Sequence, residues 1–236
     1  MRTIVVIPAR LASKRLPRKP LADIKGKTMI QRVWEQVKKC KKVQEVYVAT
    51  PDKEIAATVK AFGGKPILTK AKHKNGSEAV AQAAKNLKAD VVINVQGDKP
   101  FTNPRALTKL VQVFNGNGTE FATILHPISI KEAANPSKPK AVLDTKGNVM
   151  FYSRNQIPFF HTHKTSLFQS GGIYAFTKKF LQEYARLPQG KIEKCESLEQ
   201  MRVLEHGHKI KAVVYGKPSL GIDTAADLEK ARRLLK

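Results

Sequence analysis

The stretch that most constrains this chain is its start, where an apolar run, Thr3-Ile4-Val5-Val6-Ile7, opens directly into Pro8-Ala9-Arg10-Leu11-Ala12-Ser13-Lys14-Arg15-Leu16-Pro17-Arg18-Lys19-Pro20-Leu21. The run reads as a buried strand. Pro8, Pro17 and Pro20 keep the following segment extended, and Ala9, Ala12 and Ser13 are small enough for a ligand to lie against the backbone. Ligands of open α/β sheets bind outside the carboxyl ends of strands, and this strand end delivers Arg10, Lys14, Arg15 and Lys19 together. Guanidinium forks and ammonium point charges match phosphate oxygens, so the loop suits a polyphosphate. The plainer reading is a solvated basic turn. No Gly-Lys-Ser/Thr ends the loop, which excludes a Walker A motif.

A βα rhythm follows. Thr28 can cap a helix over Met29–Lys38, where Ile30, Val33, Trp34 and Val37 recur at helical spacing and Trp34 is expected in the core. Next come a strand at Val43–Ala49, a helix at Lys53–Phe62 begun by Asp52 or Thr50 and stopped by Gly63-Gly64, and a short strand at Pro66–Leu68. A helix at Glu78–Asn86 behind Ser77, a strand at Val91–Val95 and a helix near Pro104–Phe114 continue the pattern. The economical topology is a doubly wound α/β fold with a mostly parallel sheet. At Asn115-Gly116-Asn117-Gly118 the rhythm changes, and Phe121–Leu125, Lys140–Leu143 and Val149–Tyr152 read as short strands. The expectation is a single domain over 1–236 with a small, partly antiparallel added lobe at roughly 119–176. A helix around Ser197–His206, a strand at Ile210–Val214 and a helix at Ala225–Leu235 close the chain.

Two strand ends carry carboxylates: Gln96-Gly97-Asp98 and Gly221-Ile222-Asp223-Thr224. The glycine in the first allows a tight turn. One Asp completed by water and phosphate oxygens is how proteins usually hold Mg²⁺, so Asp98 reads as a metal ligand, with Asp223 as its partner. Each has a bland alternative: Asp98 as the cap of a turn before Pro100, Asp223 as the cap of the last helix.

Composition narrows the partners. The 43 Lys and Arg against 19 Asp and Glu leave a formal charge of +24, which favours nucleotides, nucleic acid or acidic sugars. The lysines are spread through nearly every segment without an aromatic-interleaved tract, so no specific nucleic-acid binding is expected. No apolar stretch is long enough to span a bilayer, and Met1-Arg2 leads straight into a strand, so a cytoplasmic protein without membrane insertion is expected. Cys40 and Cys195 lie in different helical-looking segments and read as reduced thiols.

The segment Ile7–Leu21 matches every fixed position of Ile-Pro-Ala-Arg-x-x-Ser-x-Arg-Leu-Pro-x-Lys-Pro-Leu. It resembles the signature of the sugar-activating cytidylyltransferases, above all those acting on 3-deoxy-manno-octulosonate (Kdo). The resemblance continues through Gln96-Gly97-Asp98, Tyr152-Ser153-Arg154, Gly172-Ile173-Tyr174, Glu196-Ser197-Leu198-Glu199-Gln200 and Gly221-Ile222-Asp223-Thr224, and so covers essentially the whole chain. It implies a nucleotide-diphospho-sugar transferase-like fold, a homodimer, and transfer of CMP from CTP to an acidic sugar with release of pyrophosphate, for lipopolysaccharide biosynthesis. It implies Mg²⁺ on Asp98 and Asp223, with Lys19 as a third catalytic group. The nucleotide would meet Pro8, Ala9, Arg10, Ser13, Arg15 and Lys19, together with His73, Gly76, Ser77 and Gln96. The sugar would meet Gln96, Lys140, Arg154, Tyr174, Glu199 and Gln200.

The sequence departs from that pattern at four places. Ala79 replaces an arginine after the His73 loop, Lys99 replaces a glutamate after Asp98, and Gln169-Ser170 replace a Lys-His pair. Two alternatives therefore stand beside Kdo activation: a cytidylyltransferase for a different acidic sugar, and a degenerate homologue that binds nucleotide with little or no turnover.

Overall fold

The structure, a computed structural model, describes residues 1–13, 15–116 and 118–235; Lys14 of the basic loop and Asn117 of the glycine turn lie outside the described residues. The chain forms two compact units, Met1–Thr108 with Ser219–Lys236, and Lys109–Pro218.

The first unit alternates β1 (Thr3–Pro8), α1 (Met29–Lys38), β2 (Glu45–Thr50), α2 (Lys53–Ala61), β3 (Lys65–Leu68), α3 (Gly76–Ala84) and β4 (Val91–Val95). A fourth helix, α4 (Pro104–Gln112), carries the chain onward. The strands pair in parallel in the order β3-β2-β1-β4, with Val5 opposite both Val46 and Ile93. β4 is buried at every position and β1 at all but its last, as strands covered on both faces must be. Pro66 is tolerated because β3 is an edge strand.

Thr28 caps α1 as expected, its hydroxyl accepting the Gln31 N–H at 3.3 Å. Trp34 is only partly buried, tilted against Phe62 at 5.3 Å with the Lys38 ammonium 4.5 Å above the ring. Asp52 precedes α2 but makes no capping bond; its carboxylate accepts the Leu11 N–H at 2.8 Å. The cap of α3 is Asn75, not Ser77: Asn75 accepts the Glu78 N–H at 3.0 Å. Ser77 lies inside the first turn, buried, where its hydroxyl accepts from the Asn94 side chain at 3.0 Å.

The second unit contains β5 (Phe121–Ile128), α5 (Ile130–Ala133), β6 (Lys140–Leu143), β7 (Val149–Ser153) and β8 (Leu167–Thr177). α6 (Lys178–Tyr184), α7 (Lys191–Glu196), α8 (Met201–Glu205) and β9 (Lys211–Val214) complete it. Its strands run β7-β6-β8-β5-β9, antiparallel except for β5 with β9. β8 is long, yet the sequence pattern hides it because Gln169-Ser170-Gly171-Gly172 interrupts the apolar run. Opposite that interruption the register with β5 shifts between Thr123 and Leu125. Stacked rings of Phe121 and Phe176, 4.3 Å apart, join Phe180 and Tyr184 in the core of this unit.

The helix expected around Ser197–His206 is shorter, α8 alone at Met201–Glu205, and the separate helix α7 ends just before it. Ser197 adopts φ 51 and ends α7. The Arg154 guanidinium takes the carbonyls of Glu196 at 2.7 Å and Ser197 at 3.2 Å, so the helix need not continue to satisfy them. In the first unit again, α9 (Ala225–Leu234) is capped by Thr224 through a reciprocal box with Asp227. Asp223 is therefore not the cap.

Arg202 on α8 is 1% exposed and donates to both carboxylate oxygens of Glu193 at 2.8 and 2.7 Å. Arg202→Leu strands the Glu193 charge in the interior and should destabilise the protein by about 3–5 kcal/mol. Adding Glu193→Leu should recover much of that loss in urea unfolding. Additive losses would contradict a mutually dependent buried pair.

Candidate active site

The segment after β1 is fixed from both sides. Ala9 donates its N–H to the Ala49 carbonyl at 2.9 Å, beside the Leu11 bond to Asp52. Arg18 then takes a left-handed conformation, φ 54, and leads into a single 3-10 turn at Lys19–Leu21 whose Pro20 is buried. A methyl group on Gly97 would lie 2.9 Å from the Pro8 carbonyl oxygen. The glycine is thus required by the close approach of two strand ends rather than by a positive φ.

At these strand ends opens a cavity of about 740 Å³. Its walls include Pro8, Ala9, Arg10, Ser13, Arg15 and Lys19 from the first loop. His73 and Gly76 face them from the loop before α3, and Gln96, Asp98 and Asp223 complete the wall. Of the residues expected at the nucleotide, Ser77 alone lies outside this wall. Ala79 does line the cavity, so the missing arginine would have placed a further cation there.

At one end of the cavity Lys19 Nζ lies 3.0 Å from Asp98 Oδ2 and 3.0 Å from Asp223 Oδ1. Arg15 reaches the same Asp223 oxygen at 3.0 Å. The Ile222 N–H donates to the Asp98 carbonyl at 3.0 Å, which fixes the two acidic segments side by side. Burial of Lys19 opposes its charge, but the two carboxylates outweigh that and hold its pKa above the ordinary lysine value. Oδ1 of Asp98 is buried and, among the described residues, has no hydrogen-bond partner.

That orphaned oxygen beside a second carboxylate fits a hard divalent cation that takes few protein ligands and completes its shell with phosphate and water. Among the described residues no cluster of three or more His, Cys, Asp or Glu side chains suits a metal. Lys99 does not join the wall of the cavity: a methyl group on Gly221 would lie 2.8 Å from its ammonium, which places Lys99 across that glycine.

The loop before α3 is tied down by that helix. Gln82 Oε1 accepts the Lys70 N–H at 2.9 Å and lies 2.7 Å from His73 Nε2, while Glu78 accepts the Lys74 N–H at 2.9 Å. Nothing in the sequence singles out Gln82, because a mid-helix glutamine reads as ordinary surface.

The residues expected at the sugar, Gln96 apart, belong to the second unit. Lys140 is fully buried and donates to the carbonyls of Asn135 at 2.9 Å and of Arg154. Burial, then the Arg154 charge, depresses its pKa. Arg154 also donates to the Pro136 carbonyl at 3.1 Å, so both cations organise backbone. Gln200 donates to the Tyr174 hydroxyl, and the Glu199 carbonyl accepts from the Tyr184 hydroxyl at 3.4 Å. The amide oxygens of Gln169 and Gln200 are buried without a hydrogen-bond partner among the described residues.

The cytidylyltransferase family model matches residues 4–210. An 8-amino-3,8-dideoxy-manno-octulosonate cytidylyltransferase of a Shewanella species is 42% identical over 100% of this chain and 99% of its own. A 3-deoxy-manno-octulosonate cytidylyltransferase of Escherichia coli is 40% identical over 99% of this chain and 96% of its own. Among solved structures, CMP:2-keto-3-deoxy-manno-octonic acid synthetase complexed with CTP superposes with a TM-score of 0.96. It is 40% identical and covers 100% of this chain and 98% of its own.

Lys19→Met removes the cation shared by Asp98 and Asp223, and stability at neutral pH should fall. Adding Asp98→Asn should return part of the loss, with a coupling on the order of 1 kcal/mol in urea unfolding. Because folding raises the Lys19 pKa, this stabilisation is complete below the ordinary lysine range and fades only as pH rises past the raised value. Simple addition of the two losses would contradict the shared-cation geometry.

Proposed function

The chain belongs to the cytidylyltransferase family, and we propose that it transfers CMP from CTP to the anomeric hydroxyl of Kdo, releasing pyrophosphate. The observation that carries this reading is the cavity in which a basic loop and two strand-end carboxylates meet around Lys19. Arg10, Arg15 and Lys19 would neutralise the triphosphate, and the small side chains of Ala9 and Ser13 leave room for it against the backbone. Asp98 and Asp223 would hold Mg²⁺, which when bound supplies charge neutralisation across the phosphates and lowers the pKa of the attacking hydroxyl. Lys19 would then pass from the carboxylates to the phosphate oxygens. The reaction needs charge control and positioning rather than a covalent nucleophile.

Lys140, Arg154, Tyr174, Glu199 and Gln200 are the residues of the second unit that we assign to sugar recognition. Family membership also supports a homodimer acting in the cytoplasm to supply lipopolysaccharide assembly. Among the described residues no helix is long and apolar enough to cross a membrane.

A second reading concerns the sugar. Gln169 is 8% exposed, neutral where the family pattern is cationic, and its amide oxygen lacks a donor. A buried acceptor without a donor favours a sugar bearing an amine, the class on which the Shewanella relative is named to act. Turnover with Kdo and with its 8-amino analogue decides between the readings. A higher kcat/KM for the analogue would replace Kdo as the substrate.

Pyrophosphate release from CTP, Mg²⁺ and either sugar is the expected activity, and its absence at high enzyme concentration would overturn the enzymatic reading. Asp98→Asn and Asp223→Asn should each abolish turnover while CTP binding falls far less, because the basic loop supplies most of the ground-state attraction. The double variant should be little worse than either single one. Full activity in Asp98→Asn would refute the role given to that carboxylate.

A further inference from the structure

The loop before α3 carries chemical information beyond its position. A backbone N–H can only donate, so the 2.9 Å contact from Lys70 N fixes Gln82 with its oxygen, not its amino group, toward the loop. The same oxygen lies 2.7 Å from His73 Nε2. An amide oxygen can only accept, so Nε2 must carry the hydrogen, and in the neutral ring Nδ1 must then be the acceptor. His73 lines the cavity, and no hydrogen bond or ion pair joins its Nδ1 to another described residue. The rest of the loop is anchored to the same helix through Glu78 and the Asn75 cap, so the imidazole stands on a fixed support.

We propose that Gln82 is a positioning residue that locks His73 in its Nε2–H tautomer, so that Nδ1 presents the cavity with a hydrogen-bond acceptor for a donor on the nucleoside. The inference rests on the reading that this cavity takes CTP. Two groups of that nucleotide carry the required chemistry, the 4-amino group of cytosine and a ribose hydroxyl. An acceptor aimed at the amino group rejects uracil, which has a carbonyl oxygen at that position, because two acceptors face each other. An acceptor aimed at a hydroxyl instead rejects the deoxynucleotide.

The first test is made on the free protein labelled with ¹⁵N-histidine. Long-range ¹H–¹⁵N correlation at mildly alkaline pH should show His73 with Nε2 protonated and Nδ1 bare. In Gln82→Leu the ring should relax to a mixture of tautomers, and Gln82→Glu, which keeps the accepting oxygen, should restore the Nε2–H form. The second test is binding, measured with CTP, UTP, 2′-deoxy-CTP and 3′-deoxy-CTP. One hydrogen bond predicts that Gln82→Leu lowers either the CTP-over-UTP preference or the CTP-over-deoxy preference by about tenfold, and which preference falls names the donor. An Nδ1–H ring in the wild-type protein, or unchanged preferences in Gln82→Leu, would overturn the proposal. Failure of the wild-type protein to bind CTP at all would instead count against the cytidylyltransferase reading and leave the tautomer result standing.

Discussion

The Lys19 ammonium between Asp98 and Asp223 joins residues 79 and 204 positions apart, and the first unit is arranged so that they can meet. The loop after β1 turns at Arg18 to bring Lys19 back, and the end of β4 comes close enough to Pro8 to require Gly97. The last segment of the chain returns from the second unit to lay Ile222 against the Asp98 backbone. Beneath this polar junction Ile222, Leu228 and Ala231 pack with Ile24 and Met29, so α9 is anchored by apolar burial while its leading edge delivers a carboxylate. The side chains of Lys19 and Asp98 are 18% and 23% exposed, shielded enough for their charges to matter to each other and open enough to exchange partners.

The same geometry balances the charge of the basic loop. Cations close to one another repel unless a counter-charge is present, and here Asp223 receives both Arg15 and Lys19 at 3.0 Å. A triphosphate entering the cavity would supply that counter-charge instead. Binding would then free Asp98 Oδ2 and Asp223 Oδ1 from the cations, beside the unpartnered Asp98 Oδ1, for a divalent cation. Ground-state attraction and the chemistry of transfer would in this way draw on one set of side chains in two arrangements.

Much of this was legible in the sequence because it is local. Apolar runs gave β1 and β4, Thr28 marked the start of α1, and the residues at the strand ends reached the cavity. What stayed hidden depends on partners distant in sequence. Asn75 and Ser77 are both good caps, and the structure separates them because Asn94 on the neighbouring strand takes the Ser77 hydroxyl. Ser197 breaks a helix-like stretch because Arg154 supplies donors to its carbonyls. Lys99 lies across Gly221. Gln82 matters only through the loop it faces, and β8 was masked by the polar residues that distinguish this chain. Those residues share a row: Ser153, Lys140, Gln169 and His126 are register partners across four strands, all buried, so the change at Gln169 alters an interior polar row rather than a surface.

Lys19 stands between the two carboxylates in the place that a divalent cation would take. The direct measurement is Mn²⁺ binding by electron paramagnetic resonance, without nucleotide, in the wild-type protein and in Lys19→Met. The ammonium should compete with the metal, so wild type should bind Mn²⁺ weakly and Lys19→Met at least tenfold more tightly, with the gain lost when Asp98→Asn is added. Equal Mn²⁺ affinity in wild type and Lys19→Met would contradict this competition between the ammonium and the metal.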